Sequence, residues 1–385
     1  MAHVMISCGE PSGDLYAGAL ARELAELRPG TRVWGLGGEH LRAAGGDLVG
    51  DYRGLAVTGL VEALRVLPTA WRMQQALVQR ARRERPDAVV LIDFPDFNFR
   101  LAGALRALDI PVVYYICPQV WAWRRGRLGA MKALVNRALV IFPFEEQIYR
   151  EAGIPVTFVG HPLLDLAVAT TPRANVLAGA GLVPDAPTVA LLPGSRRNEL
   201  HAILPTLAAA VPIMGARIPN VQFVVARAPG LADELFAPLN ALAGGYRMAT
   251  FESRTDDVLA ASDVVVTASG TATVQTAIHE RPMVIVYRVA PLTYRLGKRF
   301  VTVDTYGMAN LVAGERIVPE LIQEEFTADR TAAETARYFE DAAYAERTRA
   351  SLRDVRRKLG AHGASRRAAE AVLAVCDGAG TGAAS

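Results

Sequence analysis

The sequence predicts an α/β fold built on two doubly wound parallel sheets, followed by a helical C-terminal segment. Strand-like apolar runs alternate with helix-like runs, which is the pattern of parallel sheets covered by helices. The alternation occurs on both sides of a linker-like stretch, Ala167–Pro187, that is rich in Ala, Thr, Gly and Pro. The length of 385 residues is also enough for about two domains of ordinary size.

The first set of runs supplies the N-terminal sheet. Its strand candidates are short apolar runs, as expected for strands that helices bury on both faces. They are Val4–Ser7, Thr31–Gly35, Ala88–Ile92, Val112–Ile116, Ala138–Phe142 and Thr157–Val159. The helix candidates between them are Leu15–Leu27, Leu60–Arg83, Leu101–Ala107 and Phe144–Ala152.

The second set supplies a sheet of similar size. Its strand candidates are Thr188–Leu192, Val221–Val225, Tyr246–Thr250, Val264–Thr267 and Met283–Tyr287. The intervening helix candidates are Ala202–Ile213, Leu231–Leu242, Asp256–Ala261 and Ala272–Glu280. The C-terminal part, from about Ala332 to Val375, is rich in Ala and Arg and is predicted to be helical.

Composition excludes several classes of protein. The net charge of +3 is too small to indicate nucleic-acid binding. The three cysteines, Cys8, Cys117 and Cys376, form no CxxC pair, which suits a reducing cytoplasm and leaves no ligand set for a structural zinc. The N-terminus lacks the features of a signal peptide, and no uninterrupted apolar run reaches the ~20 residues that span a bilayer. The mean hydropathy is nevertheless high, which leaves room for a protein that lies on a membrane surface.

The most informative stretch is Ala88–Asn98. Its strand runs directly into Asp93, and Pro95, Asp96 and Asn98 follow. Ligands of parallel α/β sheets bind outside the carboxyl ends of the strands, so two carboxylates and an amide lie where such a protein binds its substrates. One carboxylate there could take a proton from a substrate hydroxyl. The alternative, equally weighted on position alone, is that Asp93 or Asp96 caps the next helix.

A glycine-containing loop, Gly9–Asp14, joins the first strand to the first helix. Glycine lets a backbone approach a ligand closely, and a helix N-terminus favours anions or polar groups. The loop is not GxGxxG, so it gives little support to dinucleotide binding. A tight turn in which Ser12 or Asp14 caps the helix explains the same residues.

Two further loops of this kind occur in the second set. Leu191–Glu199 contains Gly194, Ser195 and Arg196, and backbone donors beside a guanidinium suit a pyrophosphate. Thr267–Thr273 contains Ser269, Gly270 and Thr271, which offer amides and hydroxyls. A solvated Arg and a closely packed strand–helix turn are the simpler explanations. Two such loops in one sheet favour a nucleotide diphosphate more than either loop alone.

Two segments combine aromatic and basic residues. Pro118–Arg125 carries Trp121 and Arg124, which suit stacking on a sugar and pairing with a phosphate, although aromatic core packing is at least as common. Leu60–Arg72 has apolar residues at helical spacing, interleaved with arginines. Buried helix packing is the more common cause of that pattern, and periodicity alone cannot separate it from a membrane-surface patch. The patch would comprise Val61, Leu64, Arg65, Leu67, Trp71 and Arg72.

Taken together and in this order, the motifs resemble the lipid-A-disaccharide synthase family of Gram-negative bacteria. The match runs roughly from Val4 to Val375, and the ordered set is far more specific than any single motif. In the first half it comprises Gly9–Asp14 (GEPSGD), Gly59–Glu62, Ile92–Asn98 (IDFPDFN), Pro118–Arg124 (PQVWAWR), Phe142–Glu145 (FPFE) and Phe158–Pro162 (FVGHP). In the second half it comprises Leu191–Arg196 (LLPGSR), Ala268–Thr273 (ASGTAT), Pro282–Arg288 (PMVIVYR), Asn310–Gly314 (NLVAG) and Val318–Gln323 (VPELIQ).

The resemblance implies a GT-B glycosyltransferase with two Rossmann-like domains facing a cleft. We expect an acceptor- and membrane-facing domain at residues 1–167 and a UDP-sugar-binding domain at 168–340. Helices at 341–376 are expected to pack back on the first domain, and residues 377–385 to form a disordered tail.

The implied reaction transfers 2,3-diacylglucosamine from its UDP conjugate to the 6-hydroxyl of 2,3-diacylglucosamine 1-phosphate. It inverts the anomeric centre, forms a β-1,6-linked disaccharide and releases UDP. The resemblance implies no metal and no cofactor. The implied partners are the donor, the acceptor and the cytoplasmic face of the inner membrane. No nucleic acid is expected, and a homodimer is compatible with the sequence.

The resemblance also assigns roles residue by residue. Asp93 is the expected catalytic base, with Asp96 as the second candidate. The expected substrate-binding residues are Glu10, Ser12, Asp14, Asn98, Trp121 and Arg124, of which the first three are expected on the acceptor side. The expected UDP-binding residues are Gly194, Ser195, Arg196, Ser269, Gly270, Thr271, Gln275 and Asn310.

Two departures from the family pattern lie on the donor side. Gln275 stands where the family usually has Glu, and Ala309 stands before Asn310 where Pro is typical. The nearest rival functions are a 2-epimerase or a peptidoglycan-type transferase acting on UDP-N-acetylglucosamine. A non-catalytic, membrane-associated nucleotide-sugar binder is a rival of a different class, and an NAD-dependent oxidoreductase is the least favoured because GxGxxG is missing.

Overall fold

The computed structural model describes residues 1–55, 60–119, 126–289 and 305–378, with the backbone alone over residues 60–66. Its contacts divide the chain into two compact units. Unit one comprises Met1–Pro162 and Leu359–Ser385, and unit two comprises Leu163–Lys358. Each unit is an α/β structure with its own parallel sheet and its own hydrophobic core, as the alternation of apolar runs predicts.

The sheet of unit one has the order β3-β2-β1-β4-β5-β6-β7, and all of its pairs are parallel. Its strands are β1 (His3–Cys8), β2 (Arg32–Gly37), β3 (Asp47–Asp51), β4 (Ala88–Ile92), β5 (Val112–Tyr115), β6 (Arg137–Val140) and β7 (Val156–Phe158). The edge strand β3 is missing from the sequence prediction because it begins and ends with Asp and contains Gly50, so it has no apolar run.

Helices cover both faces of this sheet. In chain order they are α1 (Pro11–Leu27), α2 (Glu39–Ala43), α3 (Leu60–Glu84), α4 (Pro95–Arg106), α5 (Arg127–Leu134) and α6 (Pro143–Glu151). The β4 residues are all fully buried, which explains their continuous apolar sequence. Pro95 begins α4 rather than ending it, because the first helical position tolerates proline.

The sheet of unit two has the order β10-β9-β8-β11-β12-β13 and is also parallel. Its strands are β8 (Thr188–Leu192), β9 (Gln222–Arg227), β10 (Met248–Glu252), β11 (Val264–Ala268), β12 (Met283–Tyr287) and β13 (Glu320–Ile322). The sequence does not predict β13, which has three residues and begins with a charged one.

The helices of unit two are α7 (Leu163–Leu166), α8 (Arg173–Gly179), α9 (Arg197–Arg217), α10 (Ala237–Asn240), α11 (Thr255–Ala261), α12 (Thr271–Ile278), α13 (Met308–Ala313), α14 (Ala328–Glu340) and α15 (Ala342–Lys358). The single helix predicted at Leu231–Leu242 is instead a 3-10 turn, Asp233–Phe236, followed by α10. Pro238 has no N–H to donate, so the α-helix begins anew beside it.

The C-terminal helices divide between the two units. Helix α15 packs against α12, α13 and α14 of unit two, whereas α16 (Ala364–Cys376) packs against α1 of unit one. Residues 341–358 thus belong to unit two, whereas we expected all of residues 341–376 to pack on the first domain. Asp377, expected in the disordered tail, accepts two hydrogen bonds from Arg28 at 2.9 and 2.6 Å, and residues 379–385 lie outside the described residues.

Within the described part of the chain, one helix, α9, is long and apolar enough to cross a membrane by length and composition. Its residues Leu200, Leu204, Leu207 and Val211 belong to the core of unit two. We therefore interpret α9 as a core helix, which passes the same test as a membrane span.

Candidate active site

The first group of candidate residues follows β4 in unit one. Asp93 and Phe94 both have left-handed backbone conformations, with φ of 44° and 49°. This conformation is uncommon for residues other than glycine and persists only where the surroundings enforce it. The two residues make a sharp turn from β4 into α4 and keep the Asp93 side chain partly exposed beyond the end of the sheet.

Buried side chains enforce this turn. The carbonyl oxygen of Asp93 accepts hydrogen bonds from Asn98 Nδ2 at 2.7 Å and from the Tyr114 hydroxyl at 2.8 Å. Ser7 Oγ donates in turn to Asn98 Oδ1 at 2.8 Å, so β1, β4 and β5 are joined at their carboxyl ends. Because Asn98 is fully buried, it holds the turn and presents no amide to a substrate.

The carboxylate of Asp93 lies among buried phenols. Burial raises the pKa of Tyr114 well above its usual value, and the Asp93 carboxylate adds to this effect. Burial also raises the pKa of Tyr16, with smaller contributions from Tyr115 and Asp93. The phenols of Tyr16 and Tyr114 therefore stay neutral at physiological pH.

Asp96 has a different environment. It lies in the first turn of α4, its side chain is 74% exposed, and it pairs with Arg127 of α5. Arg127 thus engages the Asp96 carboxylate at the N-terminus of α4. The sequence leaves the choice between the two carboxylates open, and the structure gives them different surroundings, with Asp93 directly after β4 and Asp96 engaged by Arg127.

The Gly9–Asp14 loop places Asp14 against the start of α2, whereas the alternative expected from the sequence was a cap on the first helix, α1, whose N-cap Glu10 makes no side-chain cap hydrogen bond. Asp14 is 1% exposed, and its carboxylate accepts hydrogen bonds from backbone N–H groups at the start of α2, those of Gly38 (2.6 Å), His40 (2.9 Å) and Leu41 (3.2 Å). Asp14 thus caps α2, although we expected it to bind substrate. Glu10 and Ser12 are half-buried at the start of α1 and retain exposed surface.

Gly9 packs directly against Phe94 in the turn after β4. A Cβ atom on Gly9 would lie 2.1 Å from Cγ of Phe94, closer than real Cβ contacts allow. Glycine is therefore required here for the close approach of the loop to Phe94, whatever the ligand.

In unit two, the first candidate loop joins β8 to α9. Gly194 has a φ of 116°, which favours glycine. Glu199 Oε2 accepts hydrogen bonds from the N–H groups of Ser195 at 3.1 Å and Arg196 at 3.3 Å. Its Oε1 lies 3.3 Å from Arg196 Nη1. A carboxylate of the protein itself thus uses the amides that we expected to bind a phosphate, and an anion at this position would compete with it.

The second candidate loop joins β11 to α12. Ser269 donates its N–H to the Val286 carbonyl at 3.0 Å and its hydroxyl to the Tyr306 carbonyl at 2.9 Å, so both of its donors stabilise the loop. Gly270, with φ 152°, and Thr271 are exposed. Thr273 donates its N–H and its hydroxyl to the Gly270 carbonyl at 3.0 and 2.8 Å. The first N–H groups of a helix generally have no acceptor within the helix, so the amides at the start of α12 are the donors that this loop offers to an anion.

Gln275 lies on α12 beside a carboxylate. Its Nε2 donates to Asp256 Oδ1 at 3.4 Å, and the same oxygen lies 2.9 Å from His279 Nε2. The side chain of Asp256 is 22% exposed and that of His279 is 12% exposed. The neutral Gln275 thus has a negative charge next to it, which the sequence did not indicate.

Asn310 is buried, with an exposure of 1%, and its amide group is fully used within unit two. Its Nδ2 donates to the Val318 carbonyl (2.9 Å) and to Glu320 Oε1 (2.8 Å). Its Oδ1 accepts from the N–H groups of Ile317 (2.9 Å) and Val318 (3.0 Å). The structure therefore gives Asn310 a structural role, whereas we expected it to contact UDP.

The remaining predicted residues are only partly described. Trp121 and Arg124 lie outside the described residues, and the side chains of Val61, Leu64 and Arg65 are not described. Leu67 and Trp71, one turn apart on α3, are 46% and 62% exposed, and Arg72 is exposed beside them. Among the described side chains of the expected patch, Leu67, Trp71 and Arg72 are thus exposed to solvent. No group of three or more metal-binding side chains occurs among the described residues.

Sequence reasoning missed Tyr114, Glu199 and Glu320. Glu199 stands three residues after Arg196, which is the spacing of a capping box and could have indicated its role. Tyr114 lies within an apolar strand and carries no such signal. Glu320 accepts hydrogen bonds from residues 306, 307 and 310. These residues come into contact with it only in the folded structure, so the sequence gives no signal for this role.

Comparisons with known proteins address the whole chain. Residues 4–375 match the family model described as Lipid-A-disaccharide synthetase. A relative from Geobacter sulfurreducens, named lipid-A-disaccharide synthase, is 45% identical over 96% of both chains.

Two solved structures are similar in fold. The UDP-GlcNAc 2-epimerase of Neisseria meningitidis has a TM-score of 0.70 at 12% identity, covering 97% of this chain and 100% of its own. The calicheamicin glycosyltransferase CalG4 has a TM-score of 0.63 at 16% identity, covering 98% and 99%. At these identities the structures report on the fold, and they confirm the predicted GT-B class.

Proposed function

We propose which residues carry out each part of the reaction, from the premise that this chain belongs to the lipid-A-disaccharide synthetase family and is a glycosyltransferase of lipid A biosynthesis. The donor is UDP-2,3-diacylglucosamine and the acceptor is 2,3-diacylglucosamine 1-phosphate. The acceptor's 6-hydroxyl attacks the anomeric carbon, the bond from that carbon to the diphosphate breaks, and UDP leaves. The family match over residues 4–375 carries this assignment.

We assign the general base to Asp93. Attack by the hydroxyl requires a group that accepts its proton as the new bond forms. Asp93 is partly exposed at the carboxyl end of β4, and two hydrogen bonds to its carbonyl fix its backbone. The Arg127 partner of Asp96 leaves that carboxylate as an orienting group. Glu10 and Ser12 complete the acceptor side as polar groups at the start of α1.

We assign the leaving diphosphate to unit two. Negative charge develops on UDP as the glycosidic bond breaks, and fixed donors and positive charge stabilise it. Arg196, which is 46% exposed, supplies the charge, and the amides of Gly270 and Thr271 at the N-terminus of α12 supply donors. Glu199 has to release Arg196 and the Ser195 amide when the diphosphate binds. Gln275, beside Asp256, is our candidate for the ribose hydroxyls.

We propose that the exposed end of α3 docks on the cytoplasmic face of the inner membrane. Both substrates carry acyl chains, so the enzyme must meet them at a lipid surface. Leu67 and Trp71 supply apolar contacts and Arg72 a charge that suits anionic lipid headgroups. In flotation with vesicles containing anionic phospholipid, the variant Leu67→Ser/Trp71→Ser should stay in solution while the wild type floats. Flotation of both proteins to the same extent would contradict the assignment.

The reaction itself has a direct test. The purified protein is incubated with UDP-2,3-diacylglucosamine and the 1-phosphate acceptor, and the products are separated by mass spectrometry. We expect a tetraacyl disaccharide monophosphate and UDP in equal amounts. A control without acceptor distinguishes transfer from hydrolysis, since hydrolysis would release UDP there as well. Epimerised donor in place of a disaccharide would support the 2-epimerase alternative.

A further inference from the structure

In unit two, a buried carboxylate lies near the loop Ser269–Thr271, which leads from β11 to α12 and is called the donor loop below. Glu320, the first residue of β13, is 5% exposed. Its Oε2 accepts the N–H of Tyr306 at 2.9 Å, and its Oε1 accepts the N–H of Gly307 at 2.9 Å and Asn310 Nδ2 at 2.8 Å. These three hydrogen bonds satisfy both oxygens of the buried carboxyl group and offset the cost of removing it from water.

The fit of this carboxylate to its neighbours is close. A Cβ atom on Gly307 would lie 2.2 Å from Cδ1 of Ile285 and 3.0 Å from Oε1 of Glu320. Glycine therefore allows this segment to approach both β12 and the carboxylate. Asn310 fixes the other side, because its own amide is bound to the backbone at residues 317 and 318.

The carboxylate connects to the donor loop through one residue. The N–H of Tyr306 is bound to Glu320, and its carbonyl accepts the Ser269 hydroxyl at 2.9 Å. We propose that Glu320 is a positioning residue that fixes the donor loop Ser269–Thr271 through Tyr306. This inference rests on the proposed function, because it concerns the loop to which we assign the UDP diphosphate.

The effect of a substitution follows from the hydrogen-bond inventory. In Glu320→Gln, one carboxylate oxygen becomes an NH₂ group, which cannot accept from a backbone N–H. If the remaining oxygen keeps Gly307 and Asn310, the N–H of Tyr306 loses this acceptor, and the Tyr306 carbonyl that binds the Ser269 hydroxyl is no longer held in place by Glu320. We expect UDP to bind about tenfold more weakly and the donor KM to rise about tenfold, with the acceptor KM unchanged. The reason is that an unpaired buried N–H costs free energy equivalent to about a tenfold change in an equilibrium constant.

Asp263→Asn is the matched control. Asp263 also accepts a backbone N–H, that of Thr188 at 2.8 Å, and it immediately precedes the same strand that leads to Ser269. It lies at the opposite, amino-terminal edge of the sheet. This variant should therefore lower thermal stability while leaving UDP affinity unchanged.

The experiment measures UDP binding by calorimetry, both KM values and the thermal midpoint for the wild type, Glu320→Gln, Asp263→Asn and Ser269→Ala. Glu320→Gln and Ser269→Ala should both weaken UDP binding, and the double variant should be no weaker than the worse single one. If Glu320→Gln lowers only the thermal midpoint, as Asp263→Asn does, the proposal is wrong. If Glu320→Gln does not fold, unchanged UDP affinity in Ser269→Ala alone overturns it. Failure of the wild type to bind UDP would instead refute the proposed function.

Discussion

The hydroxyl of Tyr114 donates a 2.8 Å hydrogen bond to the backbone carbonyl of Asp93. The bond joins a fully buried side chain on β5 to the left-handed turn that follows β4. It therefore acts on the conformation of the backbone that carries the proposed base, whose side chain is partly exposed beyond the end of β4.

Tyr114→Phe should slow transfer by about fivefold with little change in either KM. The variant keeps the ring in the core and removes only the hydroxyl, so a hydrogen bond worth about 1 kcal/mol is lost at the turn. Steady-state kinetics with both substrates test this expectation. Tyr115→Phe, on the same strand, is the control for loss of a buried hydroxyl. Equal kinetics for both variants would show that the bond to Asp93 has no effect on the reaction.

Asp93→Asn should reduce kcat by about 10² to 10⁴, the usual contribution of a general base. Asp96→Asn should reduce it far less, because its ion pair with Arg127 is exposed and worth at most about 1 kcal/mol. UDP affinity should be unchanged in both variants. If Asp96→Asn proves the more damaging of the two, the assignment of the base has to be exchanged.

Arg196→Ala should weaken UDP binding by about tenfold, since it removes a charged partner of the diphosphate. Uridine, which lacks phosphate, should bind the variant and the wild type equally.

Glu199→Gln is the complementary variant: it keeps a hydrogen-bond acceptor near Ser195 but removes the negative charge that pairs with Arg196. Calorimetry should show UDP binding that is not weakened by Glu199→Gln. If Glu199→Gln binds UDP as tightly as the wild type or more tightly, and Arg196→Ala binds it more weakly, the results support competition between Glu199 and the diphosphate.

Stability should fall as the pH is lowered below about 6.5 because of His161. Burial lowers the pKa of His161 from its ordinary value of 6.5 to about 3. The unfolded chain therefore takes up a proton below pH 6.5 that the folded protein binds only near pH 3. Each pH unit between these values costs up to about 1.4 kcal/mol.

The measurement compares urea unfolding of the wild type and His161→Gln from pH 7 to pH 4.5. The wild type should lose more stability than the variant over this range, although the variant is less stable at pH 7. Parallel stability curves for the two proteins would show that His161 does not cause the acid sensitivity.

Much of the fold could be predicted because apolar runs carry the information. Strands β4, β8 and β12 have the predicted bounds, since each is buried on both faces and therefore continuously apolar. Strands β3 and β13 could not be predicted, because each includes charged residues whose partners lie elsewhere in the chain. The division of the C-terminal helices between the units likewise depends on contacts that periodicity does not encode.

By itself, the sequence determined the α/β class, the two sheets, the family and the loops at the strand ends, because each of these depends on the order of residues along the chain. Only the tertiary structure decided which polar residues of those loops are exposed and which are consumed in the fold. Asp14, Asn98 and Asn310 lie in matched motifs, yet their side chains are buried and hydrogen-bonded within the protein. The physical reason is that a buried polar group must find its partners, and those partners come from elements far apart in sequence.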